Sequence, residues 1–528
     1  MNITGRPVPC AFVLIFFCLL SLPLAVTVIR PESPEISVME NRRLASFPDL
    51  RAARYGEWPK LLDGWFKDHL ATRGFCLETY TSIWQGVLKA PRLHVFTGKD
   101  GELFSLDTVK AYLGLYLFSR EQLVEMKLGF AGYQGYCMLH GITFVALLSP
   151  DKPLYSADKL PDWVRWRKGP SHLEQLVDAL RDTGITYIDL LPEMLRHKST
   201  ANAFDKTGDV WHWNGNGLDI AYKALLAFYN EHGASIPEAE YLASYGVERE
   251  KDTVVVRNKD LREYADRSEE MPPVVSEYGW DAPKFYENGK AAGNNTLLMS
   301  DSNILSTHGS TYLPLVHFSR AYMHLTRGAA SFANLDAVRK LHTMDFAIRA
   351  YVERTISPPI HSSPEDDMRV RILGDTLLET PGYILHPSVV RGARLNNCAP
   401  AENGRFPAYE DSPVWLLAGN GGPEILLQPV HTDSDGRAMV SARITVPGDS
   451  VAKVIYRPSG NGDIPEQSVS VPVRRGENMI HLSFYGNAGE QLLVRFSPGE
   501  LAGEYGFSVI EDVVLLRELM ASGESPRK

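Results

Sequence analysis

The sequence has no excess of basic residues, few cysteines, no internal repeat and no second long apolar run. Its 54 Lys plus Arg stand against 64 Asp plus Glu, a formal net charge of −10 with neutral histidines, which excludes a general nucleic-acid binder. It contains no Cys-x-x-Cys pair and no His-Glu-x-x-His motif, so neither a structural zinc site nor a zinc-protease centre is expected. Of the five cysteines, Cys10 and Cys18 lie in the N-terminal apolar run and cannot staple a folded body. Cys76, Cys137 and Cys398 remain; an oxidising compartment permits one disulfide among them and leaves one thiol over.

The single long apolar run is at the N-terminus, where 23 uncharged residues separate Arg6 from Arg30. At about 1.5 Å per residue it is long enough to cross roughly 30 Å of hydrocarbon. It has no clean small-residue cleavage site, and it exceeds the roughly 7–15 apolar residues of a signal-peptide core. We read it as an uncleaved anchor, with a cleaved export signal as the alternative. Either way, the remainder is expected to be one soluble body across the membrane.

The chain has 528 residues, of which 44% are hydrophobic and 22% charged, a globular rather than a disordered balance. A Pro/Glu-rich linker, Pro31 to Glu40, leads to helical patterning from about Tyr55 to Lys89. There Trp58, Leu61, Leu62, Trp65 and Phe66 recur at helical spacing and are expected to pack. Helix patterns at Arg120 to His140, His172 to Thr183 and about Gly217 to His232 alternate with strand patterns at Gly141 to Leu148, Thr186 to Leu190 and Thr296 to Met299. Alternation on this scale predicts a parallel α/β sheet.

From about Val414 the pattern changes to short β-type runs: Ile425–Val430, Ala438–Val446, Ala452–Arg457, Ser468–Val473, Met479–Tyr485, Gln491–Phe496 and Phe507–Leu516. Spacings near ten residues predict a β-sandwich. The expected organisation is therefore an N-terminal signal segment over residues 1–30, an α/β domain over 31–395, and a β-sandwich over 396–528. Exported sandwiches often hold sugars on exposed aromatics, so Trp415, Tyr456, Phe484 and Tyr485 are candidates, although most should be core. The alternation in Met479–Tyr485 requires Phe484 and Tyr485 to point to opposite faces.

Asp209, His212 and Ser302 are the residue types of a hydrolase-like triad, placed where loops leave strands or precede helices. A serine hydroxyl attacks well only when an imidazole takes its proton, and a carboxylate fixes the tautomer and stabilises the imidazolium. Asp209 and His212 share one short loop, whereas Ser302 arrives from another strand end. By itself this inventory is common in a chain with 15 histidines.

Several segments in order resemble the SGNH-hydrolase-like domain of the bacterial alginate O-acetyltransferase family, the AlgX/AlgJ type. They are Glu40-Asn41-Arg42-Arg43-Leu44-Ala45 with Phe47-Pro48, then Trp65 to His69 ending at Arg73, and Gly98-Lys99-Asp100-Gly101-Glu102-Leu103-Phe104. Pro150-Asp151-Lys152-Pro153-Leu154-Tyr155 with Leu160-Pro161 follows, then His212-Trp213-Asn214, Asp301-Ser302 and Glu353-Arg354. Two positions depart from the pattern. The family usually separates its Asp and His by one residue, whereas Val210 stands at that position here and Asp209 gives Asp-x-x-His. Ser300 replaces the glycine that usually opens the nucleophile turn.

The resemblance implies that Ser302 carries an acetyl group, His212 acts as base and Asp209 orients it. It also implies a polysaccharide acceptor, and a membrane-bound O-acyltransferase that delivers acetyl groups without a soluble cofactor. Such a protein is expected in the periplasm, attached to the inner membrane by its N-terminal segment. Lys152 and Tyr155 are candidate substrate contacts, with structural hydrogen bonding as the competing reading; Glu353 and Arg354 are expected to brace a strand end. A polysaccharide acetyl esterase uses the same triad, and a silent glycan-binding scaffold of an export complex is the alternative of another class.

Overall fold

The computed structural model describes, in its main body, residues 95–207, 209–236, 293–300, 318–325, 332–358, 363–402, 412–460 and 464–522. It also describes 12–18, 55–69, 247–250, 253–256, 265–266, 284–287 and a few single residues or pairs before residue 95. The chain divides into two compact units, Met1–Thr97 and Gly98–Lys528.

In the first unit, residues 12–18 are helical, and no helix among the described residues is long and apolar enough to cross a membrane. The expected helix of the linker region is found at Trp58–His69, after a 3-10 turn at Tyr55–Glu57. Its apolar side is only partly covered, since Leu61 and Phe66 remain exposed.

The second unit is built on a seven-stranded sheet. Its strands, in chain order, are β1 (Thr143–Ser149), β2 (Tyr187–Asp189), β3 (Ala265–Asp266), β4 (Lys284–Glu287), β5 (Asn295–Ser300), β6 (Arg320–Leu325) and β7 (Phe346–Val352). The spatial order is β2-β1-β7-β5-β6-β4-β3. Strands β2, β1, β7, β5 and β6 run parallel, while β4 and β3 add antiparallel pairings at one edge. The sheet is thus mixed, with a parallel centre whose C-terminal ends Ser149, Ser300 and Val352 share one edge. Register is specific: Val145 lies opposite Ile348, and Ile348 opposite Leu298.

Central parallel strands bury both faces, which explains their continuous apolar runs. On one face, Val145, Leu147, Leu298 and Ile348 join Trp213, Leu218, Ala221 and Leu225 in one core; the last three belong to helix α2 (Gly215–Glu231). On the other, helix α1 (Arg120–Leu139) stacks Tyr133 on Phe144 and sets Phe130 edge-on to Tyr351. Helix α1 starts in a capping box, Ser119 and Gln122 each bonding the other's backbone N–H.

Helix α3 (Pro364–Leu377) crosses α1 closely, because a Cβ on Gly132 would lie 2.3 Å from the Val370 carbonyl oxygen and one on Gly374 2.5 Å from that of Leu128. Only glycine fits at these two contacts.

The C-terminal region is a β-sandwich. One sheet orders Gly382–Ile384, Arg437–Val446, Gly503–Ser508, Val414–Ala418 and Cys398–Pro400, with Gly476–Tyr485 also paired to Arg437–Val446. The other orders Arg394–Asn396, Glu424–Leu426, Gln491–Ser497, Ser450–Pro458 and Gln467–Val473, with Val430–His431 also paired to Gln491–Ser497. Sandwich pairing therefore begins ahead of residue 396, in strands too short to announce themselves by alternation. The run expected as strand over Phe507–Leu516 turns helical: the strand stops at Ser508, and helix α4 (Glu511–Ser522) packs Val513 beside Ile372 of α3. The run Ile425–Val430 is divided between two short strands.

Phe484 is fully buried and Tyr485 exposed, as the alternation requires; Tyr456 is also core, and Trp415 is partly exposed. Cys137 and Cys398 are free thiols, and Cys76 lies outside the described residues.

Candidate active site

The loop leading into α2 is organised by its cap. Asn214 accepts from the backbone N–H groups of Asn216 and Gly217, satisfying donors that a helix start leaves over. Its amide nitrogen donates to the Asn202 carbonyl and to Asp205 Oδ1, both at 3.0 Å. Trp213 beside it is fully buried, so the loop is pinned at its C-terminal end.

Within this loop, Asp209 closes a side-chain-to-backbone turn. Its Oδ1 accepts from the N–H of Trp211 at 2.8 Å and of His212 at 3.0 Å, and its Oδ2 lies 2.6 Å from His212 Nδ1. The Asp-x-x-His spacing is what lets one carboxylate hold both the turn and the ring. Val210, the departure from the family spacing, is buried beneath the turn. Partial burial pushes the Asp209 carboxyl up, but the hydrogen bond from His212 and those from the two backbone N–H groups outweigh it and hold it at about 2. The carboxylate is therefore ionised throughout the neutral range, and its stabilising contribution is lost only as pH falls from the ordinary value of 3.8 through about 2. An aspartate bonded to Nδ1 fixes the tautomer that presents Nε2 as a base.

Lys152 follows the end of β1 and is fully buried. Its ammonium donates to the carbonyl oxygens of Leu103 at 2.8 Å and Asp205 at 2.5 Å, and lies 3.3 Å from Glu102. Burial lowers its pKa, against the attraction of Glu102, Asp205 and Asp209. Tyr155 is buried too, and its hydroxyl accepts from the Ala203 N–H at 3.0 Å. Of the two readings of these side chains, this placement favours structural hydrogen bonding: both are buried against the 203–206 segment. Their effect is to fix the dyad loop to the C-terminal edge of β1.

At the same edge, β7 is followed by Glu353 and Arg354 in a 3-10 turn. Arg354 pairs with Asp151 at 2.5 Å, and the Asp151 N–H donates to Glu353 Oε2 at 3.1 Å. Burial pushes the Glu353 carboxyl up to about 8, and the adjacent Asp151 charge adds to the effect. The pair ties β7 to β1.

Strand β5 delivers Ser300 to this edge as buried strand backbone with negative φ, so its Cβ fits where the family has glycine. Asp301 and Ser302 lie outside the described residues. No cluster of potential metal ligands occurs among the described residues. The Asn214 clamp on Asp205 escaped the sequence reading; its signal was an Asn directly before a helix pattern, which marks a cap but not its second role.

The fold is that of an SGNH-hydrolase-like α/β domain, whose mixed sheet has a parallel centre with the Asp-His pair on a loop over its C-terminal edge. Residues 95–284, which include the dyad, match the family model of the SGNH hydrolase-like domain of the acetyltransferase AlgX. No curated protein matches. Among solved structures, the chain is similar to the O-acetyltransferase domain of Pseudomonas putida AlgJ, at 16% identity over 53% of this chain and 99% of that one, with a TM-score of 0.33. It is also similar to Pseudomonas aeruginosa AlgX, at 14% identity over 79% and 94% with a TM-score of 0.31. Bacillus cereus PatB1 matches at 12% identity over 50% and 97%, with a TM-score of 0.33.

Proposed function

We propose that the protein O-acetylates a secreted or cell-surface polysaccharide through an acetyl-serine on Ser302. The observation that carries this reading is the 2.6 Å Asp209–His212 contact inside the stretch that matches an acetyltransferase domain. In the first half-reaction, Ser302 Oγ attacks the acetyl carbonyl while His212 Nε2 takes its proton. The tetrahedral adduct collapses, the donor's acyl C–O bond breaks, and His212 returns the proton to the leaving oxygen. In the second, a sugar hydroxyl gives its proton to His212 and attacks the acetyl-serine, and the proton returns to Ser302 Oγ. Asp209 stabilises the imidazolium in both.

The acetyl donor in this reading is a membrane-bound O-acyltransferase, and the catalytic body works in the periplasm, attached to the inner membrane by the N-terminal segment. Partly exposed Trp415 and exposed Tyr485 make the sandwich a candidate glycan holder.

The test is acetyl turnover from an activated ester by the full chain and by Ser302→Ala, with uronic-acid and with neutral oligosaccharides, read by mass spectrometry. Ser302-dependent acetylation of a sugar is the expected result. Turnover to water alone makes the protein an esterase, and the absence of both turnover and labelling makes it a scaffold.

A further inference from the structure

The described surface of the second unit carries an apolar group of residues that the chemistry above does not use. Leu115, Tyr116 and Leu117 are 63%, 51% and 53% exposed, and Trp163 and Trp166 are 52% and 78% exposed. Surface leucines scattered singly are ordinary, whereas here three consecutive exposed apolar residues lie beside the segment that continues from two exposed indoles.

The two segments are locked together. The Gly169 N–H donates to the Tyr112 carbonyl at 3.2 Å, and Gly114 and Gly169 approach so closely that a Cβ on Gly169 would lie 2.6 Å from the Leu113 carbonyl oxygen. Phe118 stacks on His172 with ring centroids 4.0 Å apart, and a ring nitrogen of His172 bonds the Tyr116 carbonyl. Leu115, Tyr116 and Leu117 are thus held out by fixed backbone.

We propose that this patch docks on the surface of an anionic bilayer. The stretch Trp163-Val164-Arg165-Trp166-Arg167-Lys168 interleaves two exposed indoles with three cations. Indole and phenol rings settle at the depth of lipid headgroups, and Lys or Arg beside them attract anionic lipid. Leu115 and Leu117 offer a sugar neither a flat ring face nor a donor, but they suit the acyl boundary beneath the headgroups. Around the indoles, Arg165, Arg167, Lys168 and Lys99 outnumber Asp162 and Glu174, to which three of them pair. On a chain of net charge −10, such a local positive excess sets which face an anionic membrane attracts. Trp163 and Trp166 lie in the connection that leaves the C-terminal end of β1 for the helix His172–Leu180, and Leu115 to Leu117 lie just before α1, which returns to the start of β1, so both segments belong to the sheet edge that carries the dyad. Docking there turns that edge toward a membrane-borne acetyl donor. In this respect the inference rests on the proposed function and its anchor.

The full chain is reconstituted into vesicles of phosphatidylcholine with or without phosphatidylglycerol, floated, and its tryptophans oxidised by hydroxyl radicals and read by mass spectrometry. Trp163 and Trp166 are expected to oxidise about fivefold more slowly or less in the anionic vesicles, the size of one cation's attraction. Trp211 and Trp415 should not change, and high salt should restore the rate. Trp166→Glu and Arg167→Glu should each abolish the protection and leave acetyl turnover from a soluble ester unchanged. Equal oxidation in both vesicles, or no flotation in either, overturns the proposal. Protection by uronic-acid oligosaccharides without vesicles overturns it in favour of a glycan site. The Ser302→Ala chain separates the two readings: loss of the acetylation reading leaves the footprint intact, and loss of the footprint leaves turnover intact.

Discussion

Two clusters of the same residue types differ mainly in burial. Asp209 and His212 keep 30% and 24% of their side-chain surface, on a loop over the sheet edge. Asp375, His481 and Ser441 are enclosed where α3 meets the sandwich: Asp375 Oδ2 lies 3.1 Å from His481 Nε2, and His481 Nδ1 lies 2.9 Å from Ser441 Oγ. The second cluster has the complete inventory of a catalytic triad, with Arg437 bonded to Asp375 as well. Its serine is fully buried, and both ring nitrogens of His481 are occupied. Here the same groups serve as a polar joint between helix and sheet. A reactive centre is thus defined by access as much as by residue types.

The comparison breaks most directly at the imidazoles. His212→Ala should lower acetyl turnover by roughly 10⁴-fold, the loss usual when a base of this kind is removed, with little change in melting temperature. Ser441→Ala should leave turnover unchanged. If Ser441→Ala abolishes turnover in a folded protein, the assignment of chemistry to the exposed dyad is wrong.

The joint should respond in stability instead. Burial raises the Asp375 carboxyl, yet the bonds from His481 and the Arg437 charge more than offset it, so its pKa is lowered and it stays ionised. Asp375→Ala leaves Arg437 buried without its main counter-charge, and should cost about 3–5 kcal/mol of unfolding free energy by urea titration. A loss within experimental scatter would show that the joint holds nothing.

The sequence disclosed the parallel strands and helices of the sheet because long runs of one period carry their own signal, as in Gly141 to Leu148 and Arg120 to His140. It disclosed the Asp209–His212 pair because both fall in one turn, three residues apart. It did not disclose the second constellation, whose members Asp375, Ser441 and His481 come from a helix and two strands far apart in the chain. Nor did it choose between a substrate contact and a structural hydrogen bond for Lys152, because the carbonyl oxygens that enclose it converge from the distant 103 and 205–206 segments. The helix α4 was missed because Phe507 to Leu516 is apolar enough to pass for a strand, and the break after Ser508 has no proline or glycine to mark it.

Glu353 sharpens the comparison from a third position, as a buried carboxyl that holds a proton where Asp375 holds a charge. Its folded value of about 8 stands above the ordinary 4.5. Between these values the unfolded chain releases the proton and the folded chain keeps it, so stability is full below pH 4.5 and declines as pH rises toward 8. The slope can reach about 1.4 kcal/mol per pH unit. Glu353→Gln retains an acceptor for the Asp151 N–H and cannot ionise, so its unfolding free energy should lose this slope and exceed the parent's near pH 8. Parallel pH–stability curves for the two proteins would mean that Glu353 is ionised in the fold, with Arg354 serving both carboxylates rather than Asp151 alone.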